Sequence, residues 1–248
     1  MPGIRILTSA ALLFAAGAAA AADAGLRAEL ERVAQRRIFF GHQSVGVNLL
    51  DGMAQLAANE GVPLSVGDAF IAENGDPLRK LRSFEEAMAQ QPAPVEVALM
   101  KFCYVDFTPE TDAKALFARY RATLDRLRSK YPGTTFVHVT APLTDVQGGA
   151  KGLLKRLLGR APYGAVENLR REQYNALLRA AYRGREPIFD LARVESIAPD
   201  GRAVTAQWNG SVVPVLAPAF TDDGGHLNAP GRLRAARELV SVLAGLPR

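Results

Sequence analysis

The chain has 248 residues, 48% of them hydrophobic, and a formal net charge of +5. That is enough apolar content for one sizeable core, and α/β domains of this size often stay undivided. A single cysteine, Cys103, excludes an intrachain disulfide; three histidines with no HExxH or paired-cysteine spacing argue against a zinc centre, so no metal or other cofactor is expected.

Residues 1–22 read as a secretory signal peptide. Arg5 gives a basic n-region, Ile6 to Ala20 is apolar and alanine-rich, and small residues continue to Asp23, with cleavage expected around Ala20 to Ala24. A membrane anchor is the alternative, but the run is short and ends in small residues. No later run approaches the roughly 18 apolar residues of a membrane span. The mature chain, 23–248, is then expected in the periplasm or outside the cell. Loss of Arg5 leaves it mildly basic, which suits an acidic glycan or envelope partner; no nucleic-acid partner is expected.

Strand-like and helix-like segments then alternate. Arg37–Phe40 reads as a first strand ending in a glycine turn, followed by a helix with Val47, Leu50, Met53 and Ala57 on one face. Val62–Val66 reads as a second strand, with a helix from about Pro77 to Gln90. Val95–Met100 is a third, followed by a helix carrying Leu116, Phe117, Tyr120, Leu124 and Leu127. Thr134–Thr140 is a β-branched fourth strand, and a helix from about Glu167 to Tyr182 leads to a fifth, Pro187–Leu191. Asn209-Gly210 between two apolar runs, Ala203–Gln207 and Val212–Leu216, signals a small β-hairpin insertion. A last helix starts near Pro230, a residue suited to a first helical turn. Gly148–Ala165 is a candidate lid, and its cluster Lys151, Lys155, Arg156 and Arg160 reads as a solvated helix face.

Five strands alternating with helices imply a three-layer α/β/α sandwich around a doubly wound parallel sheet. Right-handed crossovers put the strand-to-helix loops at one sheet edge, where ligands bind near the switch in strand order. Ser44, Gly75, the stretch Lys101–Asp106, Asp145 and His226 all fall at that edge.

A serine hydroxyl needs an adjacent base, and the base an orienting group. In Thr221-Asp222-Asp223-Gly224-Gly225-His226-Leu227-Asn228 a carboxylate stands three residues before a histidine, at a helix entrance. It can hold Nδ1–H and leave Nε2 free to take a proton; Asp222 is then available as a helix cap. Ser44, in Phe40-Gly41-His42-Gln43-Ser44-Val45-Gly46, sits where a strand turns into a helix. N-terminal amides beside it can stabilise an oxyanion. Ser44 as a plain helix N-cap is the competing reading. Cys103 reads as a buried structural cysteine, His138 as a core histidine and Asp190 as a loop cap. Tyr104 and Trp208 are candidate pocket walls.

These segments resemble the SGNH (GDSL-like) hydrolase superfamily over roughly residues 36–245. Besides Ser44 and Asp223-Gly224-Gly225-His226, similar stretches are Tyr131-Pro132-Gly133, Val137-His138-Val139-Thr140-Ala141-Pro142-Leu143, Tyr174-Asn175 and Phe189-Asp190-Leu191-Ala192. The resemblance implies a flavodoxin-like sheet, Ser44 attacking an acyl carbonyl, His226 as general base and then acid, and Asp223 orienting it. The chain also departs from the family pattern. His42-Gln43 stands where the first block usually has Gly-Asp. The second-block glycine, an oxyanion donor, is best matched by Gly75. The third block, Lys101-Phe102-Cys103-Tyr104-Val105-Asp106-Phe107, lacks the usual asparagine. Losing such a donor costs about 3 kcal/mol of barrier, and Lys101 or Asn74 is the expected replacement. His42 and Tyr104 are candidate substrate contacts. The function implied is an exported serine esterase acting on an acyl ester, O-acetyl among the candidates, of a small molecule or glycan. The alternatives are an O-acyltransferase on an envelope polysaccharide and a catalytically silent carbohydrate-binding domain.

Overall fold

Side-chain alternation along three strands divides the apolar residues between two cores. The computed structural model describes residues 25–148, 154–155 and 157–247. The expected signal peptide lies outside the described residues, as do residues 149–153 and 156 of the candidate lid, with Lys151 and Arg156 of its basic cluster.

In chain order the elements are α1 (residues 25–34), β1 (Ile38–His42), α2 (Ser44–Glu60), β2 (Gly67–Phe70), α3 (Pro77–Ala89), β3 (Val97–Met100), α4 (Ala113–Lys130), β4 (Thr135–Val139), α5 (Ala165–Tyr182), β5 (Ile188–Phe189), α6 (Leu191–Glu195), β6 (Thr205–Trp208), β7 (Ser211–Pro214) and α7 (Ala229–Ala244). The first five strands form one sheet in the order β2-β1-β3-β4-β5, with all four pairings parallel. This is the expected α/β/α arrangement. Ile38, Phe40, Val97, Leu99, Val137 and Val139 face one core, shared with α1, α2 and α7. Their alternate neighbours Phe39, Ala98, Met100 and Phe136 face the other, shared with α3, α4 and α5. Each large side chain so buried contributes roughly 1.5–3 kcal/mol.

The first two strands differ from expectation in ways that bear on the site. The second strand is Gly67–Phe70, not Val62–Val66. Helix α2 closes in a turn at Gly61, with the Val62 N–H returned to Ala57 O at 2.9 Å, and Pro63 has no N–H to give a ladder. The true strand lies at the sheet edge with Phe70 64% exposed, so no apolar run marks it. Strand β1 runs through Gly41 to His42, pairing with Ala69 and Phe70, rather than turning at the glycine. The hairpin forms as expected, with Asn209 and Gly210 at φ +47° and +75°. Two positive φ values are what a two-residue type I′ turn demands. Among the described residues no helix is long and apolar enough to cross a membrane.

In this strand order the chain leaves β1 in opposite directions towards β2 and β3, so the crevice at the carboxyl ends of β1 and β3 is the switch point. Ser44 opens the helix that follows β1, and Tyr104 lies in the 3₁₀ turn Tyr104–Asp106 that follows β3.

Candidate active site

Helix α2 begins at Ser44 itself, and the N-cap is Gln43. Ser44 is therefore the first helical residue and not the cap. The Gln43 carbonyl accepts from Gly46 N (2.7 Å) and Val47 N (3.4 Å). Among the described residues the Ser44 and Val45 N–H groups are then the donors that a helix start leaves unpaired. The Gln43 amide is anchored to the Ala72 carbonyl, which ties the serine turn to the loop after β2. The Ser44 side chain is partly exposed.

The loop before α7 wraps around one carboxylate. Asp223 Oδ1 accepts from Gly225 N at 2.9 Å, His226 N at 2.8 Å and Thr221 Oγ1 at 3.3 Å. Its other oxygen, Oδ2, lies 2.7 Å from His226 Nδ1. Those bonds, the His226 backbone N–H first and the imidazole next, hold the Asp223 carboxyl far below the usual range. It stays ionised and fixes Nδ1 as the ring's donor. Residue 224 must be glycine: its φ is +84°, and a Cβ would lie 2.4 Å from Asp145 Oδ1. Asp145 N in turn donates to Gly224 O at 2.9 Å. Burial, followed by the nearby Asp223 charge, raises the Asp145 pKa. The α7 cap is Asn228, which accepts from Gly231 N at 3.1 Å; Asp222 only braces it, taking a hydrogen bond from Asn228 Nδ2 at 3.2 Å.

The two distant segments meet through Leu227, whose N–H donates to Asn48 Oδ1 at 3.1 Å. Ser44 and His226 are not hydrogen-bonded to each other among the described residues. Nε2 of His226 instead faces the Tyr104 hydroxyl at 3.4 Å.

Four candidate positions turn out otherwise than expected. The Gly75 N–H is committed to Asp106 Oδ1 at 2.8 Å and is not free for an oxyanion. Asn74 gives its carbonyl oxygen to Lys80 Nζ at 2.8 Å. Lys80 and Asp106 form a fully buried pair at 2.7 Å, and Asp106 Oδ2 also takes the Cys103 N–H at 2.6 Å. This closed network occupies the region expected to supply donors. Lys101 is buried, with Nζ on Phe102 O (3.3 Å) and Cys103 Sγ (3.5 Å), and burial lowers its pKa. Its ammonium is directed into the protein rather than to the site. His42 is only 1% exposed, with its nitrogens on Asp68 Oδ2 (2.9 Å) and Gln43 O (3.0 Å), so it packs and does not offer a substrate contact.

The readings of Cys103 and His138 hold, and that of Asp190 as a loop cap does not. Cys103 is buried and free. His138 is stacked on Tyr182 with centroids 3.6 Å apart and hydrogen-bonded to Tyr120 at 2.7 Å. Asp190 takes a two-pronged bond from Arg179, both contacts 2.8 Å, and so serves α5 rather than the cap of α6. Trp208 ends β6 at the hairpin turn.

Arg171 is the residue that sequence reasoning missed. It is 2% exposed and donates to the Tyr104 carbonyl at 2.9 and 3.2 Å, to Thr144 Oγ1 at 2.9 Å and to Asn168 Oδ1. Asn168 and Asn175, on the same face of α5, bond the loop after β4 through Thr144 and Ala141. The available signal was three polar residues at helical spacing among the apolar Tyr174 and Leu178.

No family model matches the sequence, and no curated protein matches it. Solved structures match in fold. TesA aligns at TM-score 0.53 and 11% identity over 84% of this chain and 98% of its own. A GDSL-like lipase from Bacteroides thetaiotaomicron VPI-5482 aligns at 0.51 and 11% over 91% and 93%. A member of the lipolytic protein G-D-S-L family from Veillonella parvula DSM 2008 aligns at 0.51 and 14% over 84% and 98%. The chain has the fold of the GDSL/SGNH hydrolases.

Proposed function

We propose that the protein is a serine esterase in which Ser44 is the nucleophile, His226 the general base and acid, and Asp223 the group that orients the imidazole. The observation that carries this reading is the Asp223–His226 pair, 2.7 Å apart, in a loop bonded to the helix that Ser44 begins. The carboxylate holds Nδ1–H, so Nε2 is the basic nitrogen. Nε2 takes the Ser44 proton as Oγ attacks the acyl carbon. The unpaired N–H groups of Ser44 and Val45 offer donors to the resulting oxyanion. Nε2–H then protonates the leaving alcohol, and a water activated by the same nitrogen releases the acid from Ser44. Resting geometries of such sites are often loose and tighten with substrate.

The substrate class is an acyl ester of a small molecule or glycan, reached after export if residues 1–22 are cleaved as their sequence suggests. Short acyl p-nitrophenyl esters and acetylated sugars, assayed with wild type and Ser44→Ala, test the chemistry. A fluorophosphonate probe should label the wild type and leave Ser44→Ala unlabelled. The open Ser44–His226 contact favours one second reading, a silent binding domain of the same fold, for which neither protein would label. N-terminal sequencing of the mature protein tests export.

A further inference from the structure

Tyr104 stands at the ring nitrogen that the esterase chemistry uses. Its hydroxyl lies 3.4 Å from His226 Nε2, and the rings meet edge to face with centroids 5.5 Å apart. Nδ1 is committed to Asp223, so Nε2 accepts and the phenol donates. The approach depends on glycine at 225, where a Cβ would fall 2.8 Å from Tyr104 Cζ and 3.0 Å from its hydroxyl oxygen. The main chain of Tyr104 is clamped too, by the two Arg171 bonds to its carbonyl. Burial first, and the Asp223 charge next, raise the Tyr104 pKa, so the hydroxyl keeps its proton.

Resting on the Ser44 reading, we propose that Tyr104 is a further catalytic residue whose hydroxyl donates a hydrogen bond to the alcohol oxygen leaving the acyl group. As the bond between acyl carbon and alkoxy oxygen breaks, its electron pair goes to that oxygen, and Nε2–H delivers the proton there. The oxygen must come within about 3 Å of Nε2 to receive it. A hydroxyl 3.4 Å from the same nitrogen is placed to bond it as its negative charge grows. Tyr104 transfers no proton. Contact with Nε2, the atom that serves the leaving oxygen, assigns the phenol to that oxygen rather than to the carbonyl oxygen.

The test compares two acetates on the full-length protein: p-nitrophenyl acetate, whose leaving group needs little help, and ethyl acetate, whose leaving group needs much. The readout is kcat/KM, which reports the steps through acylation. Tyr104→Phe should lose about 10- to 100-fold on ethyl acetate, the worth of one hydrogen bond to a charged oxygen. On p-nitrophenyl acetate the loss should be at least several-fold smaller, and a thermal midpoint near that of the wild type checks that the variant folds. Equal losses on both esters, or none on either, would overturn the assignment. Turnover of p-nitrophenyl acetate by Ser44→Ala at the wild-type rate would overturn the serine reading instead. Failure of the wild type to turn over either ester would overturn both.

Discussion

The backbone N–H of Leu227 donates to the side-chain oxygen of Asn48 across 179 residues of sequence, at 3.1 Å. Asn48 lies four residues beyond Ser44 on α2, hence on the same helical face, and Leu227 is the residue after His226. This bond therefore sets the histidine loop against the helix of the proposed nucleophile. Asn48→Ala leaves a buried donor unsatisfied, at a cost of about 1–2 kcal/mol. The expected outcome is a thermal midpoint lower by about 2–6 °C and slower fluorophosphonate labelling. Unchanged labelling would mean that other contacts seat the loop.

At Gly52 α2 and α7 pack backbone against backbone. A Cβ there would lie 2.6 Å from Arg232 O and 2.7 Å from Ala236 Cβ. Alanine would favour the isolated helix by about 1 kcal/mol, but forcing apart two packed backbones costs about 1–3 kcal/mol. The carbonyl cannot yield without moving α7, so the second effect prevails. Gly52→Ala should lower the urea midpoint; a raised midpoint would show that α7 gives way freely.

Arg171→Lys keeps the charge and loses the fork that holds the Tyr104 carbonyl. Burial brings the Arg171 pKa down to about 10, so the guanidinium is charged at neutral pH, and its partners Thr144 and Asn168 are buried with it. Destabilisation of about 2–4 kcal/mol is expected from the broken buried network. If Tyr104 acts on the leaving oxygen, the same variant should lose more activity on ethyl acetate than on p-nitrophenyl acetate. A loss equal on the two esters would limit Arg171 to a structural role.

Two buried groups give the stability opposite responses to pH. Burial raises the Glu195 pKa from 4.5 to about 8, with Oε2 on Leu143 N at 2.7 Å and Oε1 without a partner among the described residues. The folded state holds that proton more tightly, so this stability is complete below pH 4.5 and is lost as pH rises to about 8. Burial lowers the His138 pKa from 6.5 to about 4, so its stability is complete above 6.5 and is lost as pH falls to about 4. Glu195→Gln mimics the protonated acid. Urea unfolding should show the variant gaining on wild type between pH 5 and pH 8, by an amount on the order of a few kcal/mol. A difference independent of pH would show that Glu195 stays ionised.

How much of this was legible beforehand follows from burial. The central strands β1, β3 and β4 are apolar and β-branched because both faces are covered, and they were read to within a few residues. The edge strand β2 is half solvated, carries no apolar pattern and was displaced by one turn of chain. In the site, the Asp223–His226 pair was readable because its partners lie three residues apart, so local geometry decides the contact. Gly75 and Lys101 were misplaced because their fate depended on Asp106 and on burial, both consequences of folding. Arg171 went unseen because its target, a backbone carbonyl 67 residues away, has no sequence signature.

The sequence alone determined the alternation of strand and helix, the Asn-Gly hairpin and the Asp-x-x-His loop, since each depends on side-chain period or on neighbours a few residues apart. Only the tertiary structure decided that Tyr104 faces His226 Nε2, that Lys80 and Asp106 close off the expected donor loop, and that Asn48 holds Leu227. Those contacts join residues from different loops and helix starts, and it is the crossover order of the sheet that brings these segments to one edge.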